Sequence, residues 1–257
     1  MKIFAKLLGA ATASLALIGA ADARIIVSGD SNIVNPTVGS FSQPVNPGNV
    51  QFFTNLISGG SNVVVLDQSG GTGSLASVAS DLDVFYNALG GVSSTLLGGG
   101  TALSDANLAA ADLLIAPLPD MFSAAEATAV SNFLNNGGTV FLLGDNDAFP
   151  SANTAINGLL GAIGSSMSIV SDAIDNGFNS ALGARIVSDA LTMGVSEFRY
   201  ASTSAVTGGN ALFFALDGRT AFVSASDSSM PEIPLPAAPF LFATGLAALG
   251  YVRRRTA

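Results

Sequence analysis

The sequence contains no cysteine and no histidine. These absences remove disulfides, thiol nucleophiles, imidazole acid–base catalysis and the nitrogen and sulfur ligands of zinc, copper and iron sites. Lack of cysteine does not by itself identify a compartment, but it suits an oxidising one, where a free thiol is a liability. Charge is also scarce, at 11% of residues. With Lys2, Lys6, Arg253, Arg254, Arg255, Asp22 and Glu232 set aside at the two ends, 4 arginines face 16 acids, a net charge of −12. So acidic a body has no electrostatic footprint for DNA or RNA. It also retains no lysine that could act as a base.

What is present is apolar and small. Hydrophobic residues make up 49% of the 257 positions, enough for a packed core, so disorder of the whole body is not expected. Residues 24–229 have the length of one well-buried domain.

The two ends carry targeting patterns. Lys2 and Lys6, an apolar stretch from Leu7 to Ala20 and the small-x-small triplet Ala21-Asp22-Ala23 are the three parts of a secretory signal over residues 1–23. Cleavage is expected between Ala23 and Arg24. At the other end, prolines 231, 234, 236 and 239 stiffen a linker over 230–239. An apolar run follows, and Arg253, Arg254 and Arg255 come after it. Residues 240–257 are expected to form a transmembrane helix with an arginine-rich cytoplasmic end. That topology leaves the body on the opposite side of the membrane.

By order and residue choice, Ile233-Pro234-Leu235-Pro236-Ala237, the apolar run with Gly245 and the arginine cluster resemble the PEP-CTERM class of bacterial sorting signals, in its VPLPA-type variant. The resemblance covers about the last 25 residues of the chain. It implies an exosortase-type membrane protease as partner. It further implies a Gram-negative host making extracellular polysaccharide, a periplasmic body at least transiently anchored to the inner membrane, and a final place at the cell surface or outside the cell. An ordinary tail anchor is the alternative.

Between the ends, short apolar runs alternate with amphipathic stretches, the pattern of βαβ units. Strands are expected at Arg24–Ser28, Asn62–Asp67, Leu113–Ala116 and Thr139–Leu143. Helices are expected at Asn49–Ser58, Leu75–Leu89, Ser104–Ala111, after a Ser123/Glu126 capping box, and at Asn153–Ile163. Shorter strands are expected at Ser168–Val170, Ala184–Val187, Glu197–Ala201, Asn210–Leu216 and Ala221–Ala225. The predicted fold is α/β, a parallel sheet flanked by helices and flavodoxin-like in outline, with a β-rich C-terminal part beside it.

Arg24-Ile-Ile-Val-Ser-Gly-Asp30, the Asp112-Leu-Leu-Ile-Ala strand, the Phe122–Gly138 helix feeding Thr139-Val-Phe-Leu-Leu-Gly-Asp145, and Asp189-Ala-Leu-Thr-Met-Gly-Val195 together resemble the class I glutamine amidotransferase-like fold. Catalytic members of that superfamily use a cysteine assisted by histidine and glutamate. The matching turn here is Leu143-Gly144-Asp145-Asn146. The resemblance therefore implies a domain without amidotransferase activity, and a Ser-His-Asp triad is excluded by the same inventory.

Three acidic turns follow strands: Asp30-Ser31-Asn32, Asp120, and Asp145-Asn146-Asp147. At the C-terminal edge of a sheet, where open α/β sheets bind ligands, they could form an ion or sugar site. No cofactor is expected, and oxygen ligands of this kind would suit Ca²⁺ or Mg²⁺. Paired carboxylates could also act as acid and base on envelope polysaccharide. The plainer alternative is that Asp and Asn cap helices and close turns. The glycine-rich stretches Gly70–Gly73 and Gly98–Gly100 lack the pattern of a phosphate loop. The expected role is an exported, non-enzymatic domain that binds a ligand or extracellular matrix such as polysaccharide. The alternative role is a carboxylate-dependent hydrolase.

Overall fold

A computed structural model describes residues 23–57, 59–68, 73–98 and 100–227. In chain order the strands are β1 (Arg24–Ser28), β2 (Asn62–Leu66), β3 (Ser93–Leu97), β4 (Leu113–Pro117), β5 (Thr139–Leu143), β6 (Ser168–Ile169), β7 (Asn179–Leu182), β8 (Glu197–Tyr200), β9 (Val206–Thr207), β10 (Asn210–Phe214) and β11 (Ala221–Asp227). The helices are α1 (Asn35–Val38), α2 (Pro47–Ile57), α3 (Val78–Ala88), α4 (Asp105–Leu108), α5 (Ala124–Asn135) and α6 (Pro150–Ala162).

Seven strands form one sheet in the order β10-β11-β1-β5-β4-β2-β3. β1 to β5 are mutually parallel where they pair, whereas β11 runs antiparallel to β1 and β10 antiparallel to β11. β2, β4 and β5 are almost wholly buried, as strands covered on both faces should be. Alternate residues face two cores. Ile26, Val63, Val65, Ile115 and Phe141 pack with Phe52, Phe53, Leu82 and Tyr86 of α2 and α3. Ile25, Val27, Val64, Leu114 and Val140 pack with Val130 and Phe133 of α5 and with Ile156 and Leu160 of α6. The capping box that starts α5 is present in both directions, Ser123 to the Glu126 N–H and Glu126 to the Ser123 N–H.

The sheet corrects the parallel expectation. Of the late strands, β10 and β11 extend the sheet, which makes it mixed, while β6 pairs with β9 and β7 with β8 in two small antiparallel sheets outside it. The cause is local: a tight turn around Asp217, whose carboxyl accepts from the N–H groups of Arg219 and Thr220, folds β10 back on β11. A strand delivered by a hairpin enters antiparallel. The flavodoxin-like order 2-1-3-4-5 is likewise absent, because the parallel strands read β3-β2-β4-β5-β1 across the sheet.

The transmembrane helix expected at the C-terminus is also corrected. Among the described residues no helix is long and apolar enough to cross a membrane. Residues 240–257, the linker and sorting motif over 230–239, and the signal segment except Ala23 lie outside the described residues. Two further local expectations fail. The strand at Ala184–Val187 is a 3-10 turn, Gly183–Arg185, followed by a single bridge from Ile186 to Phe213, and β3 and β7 were not anticipated.

Candidate functional site: a buried acid pair between β1 and β5

The C-terminal ends of β1 and β5 lie side by side, with Ser28 opposite Leu143. From there the chain departs to opposite faces of the sheet, toward α1 and α2 after β1 and toward α6 after β5. Such a divergence is where open α/β sheets form crevices. Here the crevice is filled by a third segment, residues 201–205. Its Ser204 N–H donates to the Gly29 carbonyl at 2.8 Å. The approach is so close that a Cβ on Gly29 would lie 2.0 Å from the Ser204 carbonyl oxygen, and one on Gly144 would lie 2.2 Å from Asn153 Oδ1. Glycine is required at both turns.

Asp30 and Asp145 sit in this junction with no solvent exposure. Asp30 Oδ1 accepts from the Asn32 N–H at 2.7 Å and Oδ2 from the Ala201 N–H at 2.6 Å. Asp145 Oδ2 accepts from the Ser31 N–H at 3.1 Å, the Ser31 hydroxyl at 3.0 Å and Asn32 Nδ2 at 3.2 Å, while Oδ1 accepts from the Asn146 N–H at 2.8 Å. Asn32 thus bridges the two acids, its backbone to one and its side chain to the other. The buried Asn153 of α6 clamps the Asp145 backbone, accepting from its N–H and donating to its carbonyl. Ser204 donates to the same carbonyl at 2.8 Å.

Neither acid forms an ion pair among the described residues, where the recorded bridge joins Arg24 and Asp189. Burial pushes the Asp30 carboxyl well above the ordinary aspartate range, and the neighbouring Asp145 charge adds to that shift. Burial also pushes Asp145 up to about 6, against the opposing pull of its hydrogen bonds from Asn146 and Ser31. Burial and the Asp145 charge both raise Asp30, whereas burial alone raises Asp145, so Asp30 is the acid that keeps the proton when the pair carries one.

The structure therefore gathers Asp30, Asn32, Asp145 and Asn146, the last tied by Nδ2 to the Ser202 carbonyl at 3.2 Å. It does not gather Asp120 or Asp147, which are exposed. Asp120 lies instead on a shallow groove of about 470 Å³ with Met121, Phe122, Pro150 and Thr154. Among the described residues no three acidic side chains come close enough together to hold a metal ion. All four oxygens of the buried pair already accept hydrogen bonds. Nor is the pair presented to a polysaccharide chain, being closed off by residues 201–205. Ala23 is buried immediately before β1, while Ala21 lies outside the described residues.

Sequence reasoning placed Ser31 in the first acidic turn without giving it a role, and missed Asn153 and Ser204. Asn153 left a signal, a polar residue on the apolar stripe formed with Ile156 and Leu160. Ser204 left none, because nothing local marks which loop will cross the junction.

No family model matches the chain, and no curated protein matches it. The PEP-CTERM resemblance of the tail and the amidotransferase resemblance of the body thus gain no family support, and the fold stands as a mixed α/β sheet. Among solved structures, one titled "mmIFT52 N-terminal domain" aligns with 16% identity and a TM-score of 0.38, over 48% of this chain and 63% of that one. The chain spans less than two thirds of that structure, and a likeness so slight transfers no function.

Proposed function

We propose that the chain is an exported envelope or extracellular-matrix protein whose α/β body is a non-enzymatic binding or structural module, with its C-terminal segment processed by an exosortase-type membrane protease. The observation that carries the non-enzymatic reading is the state of the acid pair. The carboxylates best placed for chemistry are buried, already bonded and sealed behind residues 201–205, so they act as a fastening between three chain segments. A structural role also accords with the absence of histidine, cysteine and body lysine.

The export reading rests on the residue order at both ends.

Intact mass and fractionation from the native host, with and without the protease, test the processing. Loss of the segment after Ile233–Ala237 in the presence of the protease is expected, and an identical full-length chain in both strains would overturn it. Incubation of the purified protein with envelope glycans tests the non-enzymatic claim, which measured turnover abolished by Asp145→Asn would refute.

A further inference from the structure

The two edges of the seven-stranded sheet are finished differently. At β10 the outer side is occupied: the Val187 N–H donates to the Leu212 carbonyl at 2.9 Å, and Ile186 bridges to Phe213. At β3 no further strand pairs among the described residues. Its pairing to β2 is regular over all five residues, without a bulge. The sequence Ser-Ser-Thr-Leu-Leu contains no lysine, proline or inward charge, the devices that ordinarily blunt an edge.

Which backbone groups face outward follows from the ladder. The Ser93 N–H donates to the Ser61 carbonyl, and the Asp67 N–H to the Leu97 carbonyl. In a parallel pair alternate residues bond to one neighbour, so Ser93, Thr95 and Leu97 turn toward β2 and Ser94 and Leu96 turn away from it. One of the outward pairs is covered. Asn87, near the end of α3, accepts from the Ser94 N–H through Oδ1 at 2.9 Å and donates through Nδ2 to the Ser94 carbonyl at 3.3 Å. A side-chain amide thereby takes the place of the next strand. The outward N–H and C=O of Leu96 have no recorded partner among the described residues.

We infer that the β3 edge is a self-association surface, taking β3 of a second copy of this chain in antiparallel register, with Asn87 as its guard. The occupant follows from the outward groups themselves. A two-fold axis through Thr95 sets Ser94 of one copy opposite Leu96 of the other. Leu96 presents its N–H and C=O directly and Ser94 presents its own once Asn87 is displaced, so the pairing closes four hydrogen bonds and leaves neither residue unsatisfied. Thr95 lies exposed on the axis, and the edge carries no charge to oppose its own copy despite the acidity of the body. Val84, 68% exposed one turn before Asn87, lies on the helix that the second copy would approach. The inference concerns the body alone and is independent of processing at the chain ends.

Sedimentation velocity of the full chain over a concentration series tests it. Asn87→Ala removes the competing amide and is expected to tighten dimerisation about tenfold relative to the unsubstituted chain, the equivalent of one or two hydrogen bonds. Adding Thr95→Lys sets two ammonium groups against each other on the axis and should return the protein to monomer. Unchanged sedimentation of Asn87→Ala, or association indifferent to Thr95→Lys, would overturn the inference. Amide exchange at Leu96 gives a check without any substitution, because its protection should rise with protein concentration. Protection independent of concentration counts against the dimer.

Discussion

Two buried acidic sites share the C-terminal edge of this sheet, and their protons behave in opposite ways. The Asp30–Asp145 pair is held above the ordinary aspartate range. Glu126, also buried, is held below the ordinary glutamate range. Burial raises all three, and the sites differ in whether the hydrogen bonds around each carboxyl outweigh it. Glu126 has no acid against it and stands in the first turn of α5, where the helix dipole favours negative charge. Its Oε2 accepts from the Ser123 N–H and hydroxyl, and its Oε1 from the Leu103 N–H and Gln68 Nε2. Asp30 and Asp145 have donors as well, but these do not outweigh burial, and the Asp145 charge raises Asp30 further. A carboxylate among dipoles stays ionised, whereas two carboxylates in one pocket compete for a proton.

The largest expected effect comes from removing the better-bonded member of the pair. Asp145→Ala strands the Ser31 N–H and hydroxyl, Asn32 Nδ2 and the Asn146 N–H in a closed junction. A loss of about 3–4 kcal/mol is expected by urea denaturation at pH 5. Asp30→Ala strands the Asn32 and Ala201 N–H groups and neither the hydroxyl nor the side-chain amide recorded on Asp145, so it should cost less. Equal losses would show that the donors do not differentiate the two acids.

The second effect is a stability slope of unusual sign. Because folding raises the pKa of Asp145 from an ordinary 3.8 to about 6, the folded chain binds more protons than the unfolded chain between those values. Stability contributed by this site is therefore full at the acid end of that window and falls as pH rises through it. The decline should be on the order of 3 kcal/mol by pH 7. Asp145→Asn removes the titrating carboxyl itself and should flatten much of the slope. A midpoint of denaturation that rises from pH 4 to pH 7 would contradict this account of the pair.

Glu126→Ala probes the other side of the comparison. It removes the acceptor for Ser123, Leu103 and Gln68, and a loss of about 2 kcal/mol is expected. The pH dependence should be reversed: with its pKa depressed by folding, Glu126 contributes stability above its unfolded pKa that is lost as pH falls through the folded one. Comparing the pH profile of Glu126→Ala with that of Asp145→Asn separates the two sites in one set of melts.

Much of this was legible beforehand, and the gaps have physical causes. β1, β2, β4 and β5 are near-continuous apolar runs because helices cover both their faces, so composition alone exposed them. The Ser123–Glu126 box was legible because both of its bonds are local. β3 was not, since an edge strand half open to solvent tolerates Ser-Ser-Thr and loses the apolar signature. The acidic turns were legible as turns at strand ends, but the four aspartates of those three turns met different fates. Asp30 and Asp145 became a buried pair because β1 and β5 are spatial neighbours and residues 201–205 close over them. Asp120 and Asp147 stayed in solvent because nothing closes over them. Adjacency of strands 115 residues apart and the path of a distant loop are tertiary facts, which no local pattern encodes.

The smallest expected effect isolates the local half of the comparison. Ser123→Ala removes one cap of α5, the bond from its hydroxyl to the Glu126 N–H at 3.2 Å, together with a hydroxyl donor to Glu126 Oε2 at 2.9 Å. The Ser123 N–H still donates to Oε2 at 2.8 Å, so the carboxylate keeps a partner on that oxygen. A loss of about 1 kcal/mol is expected from the cap. The Glu126 carboxyl should rise toward its ordinary range as one stabilising donor disappears, which an NMR titration of its side-chain carbon would read directly. The same substitution should leave the titration of Asp145 unmoved, because no recorded hydrogen bond links the two sites. If both titrations shift together, the edge behaves as a single electrostatic unit, and the contrast between its two ends is one of degree.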